Sequence, residues 1–183
     1  MAHEAQAQFI RSVKDELPDF FNGTKVLEIG SLNINGTVRQ FFDSPRLYIG
    51  LDVAEGPGVD VVSLGHEYDT EELFDCVISC ECMEHNPYWR ETFLNMVRLC
   101  KPGGMVLMTC ATTGRAEHGT SRSLPQDSPL TVAAGWDYYR NLTGEDFELE
   151  IPEFDNLFSL WTFQNNPQAC DLYFVGIKVK EDS

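Results

Sequence analysis

Apolar positions recur along this chain with two periods, and the alternation between them predicts the architecture. Phe9, Val13 and Leu17 fall four residues apart, with Ile10 beside them. Residues 1–20 therefore predict an N-terminal helix with one apolar face, ended by Pro18. Asn22-Gly23 is a turn signal. Five short, almost unbroken apolar runs follow: residues 25–30, 46–52, 59–62, 74–79 and 105–110, the last announced by Lys101-Pro102-Gly103-Gly104. Between the fourth and fifth runs, Trp89, Phe93, Met96, Val97 and Cys100 form a stripe of helical period. Residues 36–42 are expected to start a helix after the first run, and residues 70–73 to make a short turn. Strands alternating with helices imply a parallel sheet with helices on both faces. Runs this apolar suit strands covered on both sides.

The last third changes character. Residues 112–142 are rich in Gly, Ser, Thr and Pro and hold no long periodic segment. Thr143 is placed to cap a helix whose first turn is acidic. Residues 157–163 and 171–179 read as two strands joined by a turn at 165–168, an antiparallel hairpin closing the sheet. No repeat or linker interrupts the chain. The expectation is one α/β domain over residues 1–183, with a substrate loop at 112–142.

Composition narrows the partners. The 183 residues carry 29 Asp+Glu against 13 Lys+Arg, a formal charge of −16. Such a surface repels phosphates and anionic lipid, so neither nucleic acid nor membrane is an expected partner. No run approaches the ~20 apolar residues of a membrane helix, and the first residues lack the apolar core of a signal peptide. A cytoplasmic protein is expected. The charge is uneven: residues 141–177 hold seven acids and no Lys or Arg, whereas residues 112–142 hold three of each sign. The acids of the first segment are expected on a solvated outer face. The loop segment is expected near neutral, leaving an anionic small substrate open. Five of the six cysteines lie in or beside apolar runs, as suits a reduced interior. Cys80-x-Cys82 with His85 lacks the ligand spacing of a zinc site, and no metal is expected.

The end of the first strand is the most informative place. Glu28 precedes Gly30, and the second strand ends in Asp52 about twenty residues on. In an open α/β sheet ligands bind beyond the carboxyl ends of strands, and an acid there can take both hydroxyls of a ribose. Gly30 lets backbone approach a ligand. The following Ser31-Leu32-Asn33-Ile34-Asn35-Gly36 is not a pyrophosphate clamp, and no phosphate-binding G-x-x-x-x-G-K-[ST] loop occurs. A nucleoside without phosphates suits it better.

Here the sequence resembles the class I S-adenosylmethionine-dependent methyltransferases, especially their small type-11-like group. Four segments carry the resemblance in order: VLEIGS (26–31), YIGLDV (48–53), FDCVISCECMEH (74–85) and LCKPGGMVLMTC (99–110). It covers roughly residues 24–180. It implies a Rossmann-like, mostly parallel seven-stranded sheet, S-adenosylmethionine as cofactor and a small-molecule substrate. Glu28 and Gly30, with Ser31 beside them, would line the methionine end, and Asp52, followed by Val53, would hold the ribose. Gly65 and His66 would flank the adenine, and Ser79, Cys80 and Glu81 would pass beneath the cofactor. Leu32 and Ile34 stand where the family's second and third glycines fall, so the loop is expected to take a different path.

Methyl transfer from a sulfonium needs proximity and orientation, and a base only where the nucleophile must lose a proton. His85 is either that base or a structural residue bonding local backbone. His118, in a glycine-bounded loop past the fifth strand, is a second candidate, with a solvated loop as the alternative. Tyr139 and Arg140 are candidate substrate contacts, whereas Trp136 is expected to pack the long loop onto the core. The leading function is a small-molecule methyltransferase, monomeric or homodimeric. The alternative is a catalytically silent nucleoside- or S-adenosylmethionine-binding module. A nicotinamide-dependent oxidoreductase lacks its fingerprint.

Overall fold

A computed structural model describes residues 3–180; residues 1–2 and 181–183, the ends of the expected domain, lie outside the described residues. Seven strands form one sheet: β1 (Lys25–Ile29), β2 (Leu47–Asp52), β3 (Val61–Val62), β4 (Phe74–Cys80), β5 (Cys100–Ala111), β6 (Phe158–Asn166) and β7 (Asp171–Lys178). Their order is β3-β2-β1-β4-β5-β7-β6. β1 to β5 pair in parallel, and β7 runs antiparallel to both β5 and β6. The sheet is therefore mostly parallel with a closing hairpin. Strand order reverses between β1 and β4, the switch point where such sheets open a crevice.

Each face of the sheet is covered. On one side lies α1 (Glu4–Glu16), which buries Ile10 and Val13 with Phe21, Phe42 and Val26. Its Phe9 stacks on Tyr173 of β7, ring centroids 4.4 Å apart. On the other lies α2 (Trp89–Leu99), joined after α3 (Pro129–Ala133) by α4 (Gly144–Glu150) and α5 (Phe154–Leu157). Phe93 of α2 sits among Phe147, Phe154, Phe158 and Phe174, with centroid distances of 5.1–6.2 Å. Burying such a ring is worth roughly 1.5–3 kcal/mol. Thr143 caps α4 as its sequence predicts: its hydroxyl accepts from Asp146 N while the Asp146 carboxylate accepts from Thr143 N, a reciprocal box.

The expected helix at 36–42 is instead a single 3-10 turn, Val38–Phe41, capped by Thr37. Asn33 Oδ1 accepts from Gly36 N at 2.9 Å, so the chain turns on itself before a longer helix can begin. The third strand is shorter than its apolar run, and the fifth longer, extending back to Cys100. The outer acids are mostly where expected: Glu145, Glu148, Glu153 and Asp155 are exposed. Asp171 is the exception, fully buried at the start of β7.

Candidate functional site

A cleft opens at the carboxyl ends of β1, β2 and β4. Glu28, Gly30, Asp52, Cys80, Glu81, Cys82 and His85 line it from the sheet, with Gln6 of α1 on one wall and Asp127 to Thr131 opposite. A second, more apolar hollow continues from it past Ile29, Leu51, Asp52, Val53, Gly65, Asn86 and Trp136. Gly30 and Asp52 border both.

Gly30 has φ +81°, and a Cβ there would meet Cys82 Cβ at 2.6 Å and Sγ at 2.7 Å. Only glycine lets β1 and the turn after β4 meet so closely. Asp52 holds the loop beyond: its carboxylate accepts from Leu32 N at 2.9 Å and from Val53 N at 2.8 Å. Those bonds use two of a carboxylate's roughly four acceptor positions, leaving two for a ligand. Asn33 N donates to Pro57 O at 2.7 Å, and Leu32 lies over Gly56, where a Cβ would fall 2.3 Å from Leu32 Cδ1.

Burial sets the electrostatics. Glu28 is 5% exposed, accepts a 2.8 Å hydrogen bond from the Tyr48 hydroxyl, and has its pKa pushed up to about 7 by desolvation, which that bond and Arg39 only partly offset. Desolvation also raises Asp52 and Glu81. Glu81 sits in a polar cluster: Thr109 Oγ1 donates to it at 2.9 Å, and Arg115 and His3 approach both it and Asp171.

His85 follows β4 in the tight turn Met83–His85 and lies only 4.0 Å from Glu84, too far for a hydrogen bond. Burial, and then His118, lower its pKa to about 3, so the ring is neutral and a weak proton acceptor at pH 7. Nor does its ring bond local backbone: among the described residues both ring nitrogens lack hydrogen-bond partners.

The remaining candidates fall outside the lining. His118 packs edge-on behind His85, centroids 4.9 Å apart, and Tyr139 lies 5.0 Å from His118 with its hydroxyl on Asn141. Ser31 tucks against Gly50, and the Ser79 hydroxyl donates to Ile29 O at 2.8 Å, tying β4 to β1. His66 stacks on Tyr88 at 4.3 Å instead of reaching the hollow. Arg140 is drawn away by α4: it pairs with Asp146 and Glu150 and lies over Trp89.

Trp136, expected to pack the long loop onto the core, is a wall of the second hollow and meets Tyr88 edge-on at 5.6 Å. Ser128-Pro129 at the head of α3 is the signal that could have placed this wall, since proline favours the first helical turn. The near-neutral loop also needs correcting. Arg115, Arg122 and Arg140 are all tied to carboxylates, and the main cleft is lined by Glu28, Asp52, Glu81 and Asp127 with no Lys or Arg among the described residues.

Comparison with known proteins gives the fold. A family model described as a methyltransferase domain matches residues 51–108. A Haemonchus contortus phosphoethanolamine N-methyltransferase, solved with phosphomonomethylethanolamine and S-adenosylhomocysteine, superposes with a TM-score of 0.64 at 17% identity, over 94% of this chain and 53% of that one. A Burkholderia thailandensis 1,6-didemethyltoxoflavin-N1-methyltransferase does so with a TM-score of 0.65 at 16% identity, over 96% of this chain and 79% of that one. The chain has the class I S-adenosylmethionine-dependent methyltransferase fold, and its middle matches that methyltransferase domain. Prosolanapyrone synthase of Alternaria solani is 31% identical over 108 residues, covering 53% of this chain and 4% of the synthase. The chain thus spans about half of the Haemonchus enzyme and a small fraction of the synthase. No described helix is long and apolar enough to cross a membrane.

Proposed function

We propose that the chain is an S-adenosylmethionine-dependent methyltransferase acting on a small molecule in the cytoplasm. The observation that carries this reading is the convergence of Glu28, Gly30 and Asp52 on one cleft at the sheet's switch point. The donor set suits the cofactor: four carboxylates without a cation favour a ligand bearing both a sulfonium and an ammonium charge. Glu28 receives the ammonium and Asp52 the ribose hydroxyls. The adenine lies in the hollow beside Leu51, Val53 and Gly65, closed by Trp136. Bound S-adenosylmethionine supplies an electrophilic methyl group.

The residues of this chain then hold the two reactants in line and keep water out, which is most of what the reaction asks. Residues 127–131 and Gln6 make the acceptor wall. Two structural relatives methylate small nitrogenous molecules, which supports the small-molecule reading. The anionic lining favours neutral or cationic acceptors over anionic ones. The reading is tested by transfer of labelled methyl from S-adenosylmethionine across a panel of amines, hydroxyls and carbon acids. Turnover of any acceptor supports it. Cofactor binding with no turnover on the whole panel would favour the silent binding module, a possibility kept open by Leu32 and Ile34 in the glycine loop.

A further inference from the structure

Directly behind the cleft wall lies a group of side chains that methyl transfer alone does not explain. Glu84 is fully buried, His85 is 2% exposed and His118 is 6% exposed. Each offers one ligand atom, and the three atoms lie within 4.8 Å of one another. Among the described residues, neither Glu84 carboxylate oxygen and neither His85 nitrogen has a hydrogen-bond partner. Buried polar atoms are costly to leave unpaired, and four of them meet in this one spot.

We propose that Glu84, His85 and His118 bind a divalent first-row transition-metal ion of the zinc and iron class, with at least one coordination position open. Two imidazoles and one carboxylate form the donor set of such open sites.

The tautomer of His118 is set for this task. Its Nδ1 lies 3.0 Å from Ala116 O. A carbonyl oxygen only accepts, so Nδ1 carries the hydrogen and Nε2 the free lone pair. A backbone carbonyl on the far nitrogen is the usual support of a metal-bound imidazole. Glu84 Oε1 and His85 Nε2 are 4.0 Å apart. Donors around a tetrahedral ion with bonds of about 2.0–2.1 Å lie about 3.3 Å from each other, so closing this pair takes less than 1 Å of side-chain movement. Gly119, with φ +63°, brings the His118 loop over the His85 ring, where any Cβ would fall 2.6 Å from Cε1. His85 also lines the cleft, so an open position on that side faces the acceptor space and can take an oxygen or nitrogen of the acceptor.

A second three-residue cluster, His3, Glu81 and Asp171, has comparable geometry. Its carboxylates already face the Arg115 guanidinium and accept from the Thr109 and Tyr173 hydroxyls, so its negative charge is compensated within the protein, although Glu81 Oε2 and His3 Nε2 lack hydrogen-bond partners among the described residues. Cys80 and Cys82, whose spacing does not suit zinc, are not in the donor set.

The proposal stands apart from the methyltransferase reading, because metal binding is measured without cofactor or acceptor. The full chain is stripped with chelator, loaded with Zn²⁺, desalted and assayed by mass spectrometry for bound zinc, with folding followed by circular dichroism. The expected result is about one zinc per chain, at least about 10-fold weaker binding in Glu84→Gln and His118→Asn, and full retention in a Cys80→Ser/Cys82→Ser control. X-ray absorption of the zinc-loaded wild type is expected to give only nitrogen and oxygen neighbours, including imidazole. This second measurement decides the matter if the variants fail to fold. Fewer than about one zinc per ten chains, a sulfur shell, or unchanged zinc in folded Glu84→Gln and His118→Asn would each overturn the assignment.

Discussion

Replacing Glu28 by Gln tests the electrostatics of the cleft through a quantity independent of turnover. The carboxyl is buried, accepts a 2.8 Å hydrogen bond from the Tyr48 hydroxyl, and has its pKa raised from 4.5 to about 7. A carboxyl raised on folding makes the native state bind more protons than the unfolded one between those two values. Stability therefore falls as pH rises through that window and levels off above it. At about 1.4 kcal/mol per pH unit, the full window is worth about 3 kcal/mol, of which about 2 kcal/mol is lost between pH 5.5 and pH 8. Gln keeps the shape and accepts from Tyr48 but does not ionise. Urea unfolding of both proteins at the two pH values isolates the contribution, because every other titrating group is shared. The variant is expected to gain about 2 kcal/mol on the wild type between pH 5.5 and pH 8 while losing affinity for S-adenosylhomocysteine. Parallel pH profiles for the two proteins would show that Glu28 does not titrate as its burial demands.

Three further predictions follow from the same geometry. Asp52→Ala removes the acceptor that holds Leu32 N and Val53 N, and by calorimetry should bind S-adenosylmethionine about 100-fold more weakly, as expected for two or three lost hydrogen bonds; equal affinity would remove Asp52 from the site. Gly30→Ala forces a side chain into left-handed backbone and against Cys82, and should lower unfolding stability by about 1–3 kcal/mol in urea titrations. Arg140→Ala should lower the Tm through the loss of its pairs to α4 yet leave cofactor Kd and acceptor KM unchanged, whereas a raised KM would return Arg140 to the acceptor site.

The sheet could be read from the sequence because a strand covered on both faces must be apolar throughout, and residues 25–29, 47–52, 74–80 and 105–110 are nearly so. That Glu28, Gly30 and Asp52 meet at one cleft was legible for a related reason: acids at the ends of two apolar runs, with a glycine beside one of them, mark the sheet edge where ligands bind. The acceptor wall was only partly legible. Residues 127–131 and Trp136 reach the cleft by loop geometry, which leaves no periodic signature. Arg140 was misplaced because its partners, Asp146 and Glu150, face it only once Thr143 has started α4. The Glu84, His85 and His118 group was hidden for the same reason. Its members come from two loops after β4 and β5, and no spacing in the chain brings them together.

The cleft at the ends of β1, β2 and β4 is proposed to hold S-adenosylmethionine. Isothermal titration of the full chain with S-adenosylmethionine and S-adenosylhomocysteine measures this most directly. One site per chain is expected, with micromolar affinity, about −8 kcal/mol, weakened about 100-fold by Asp52→Ala. No heat of binding from either ligand at millimolar concentration would contradict it.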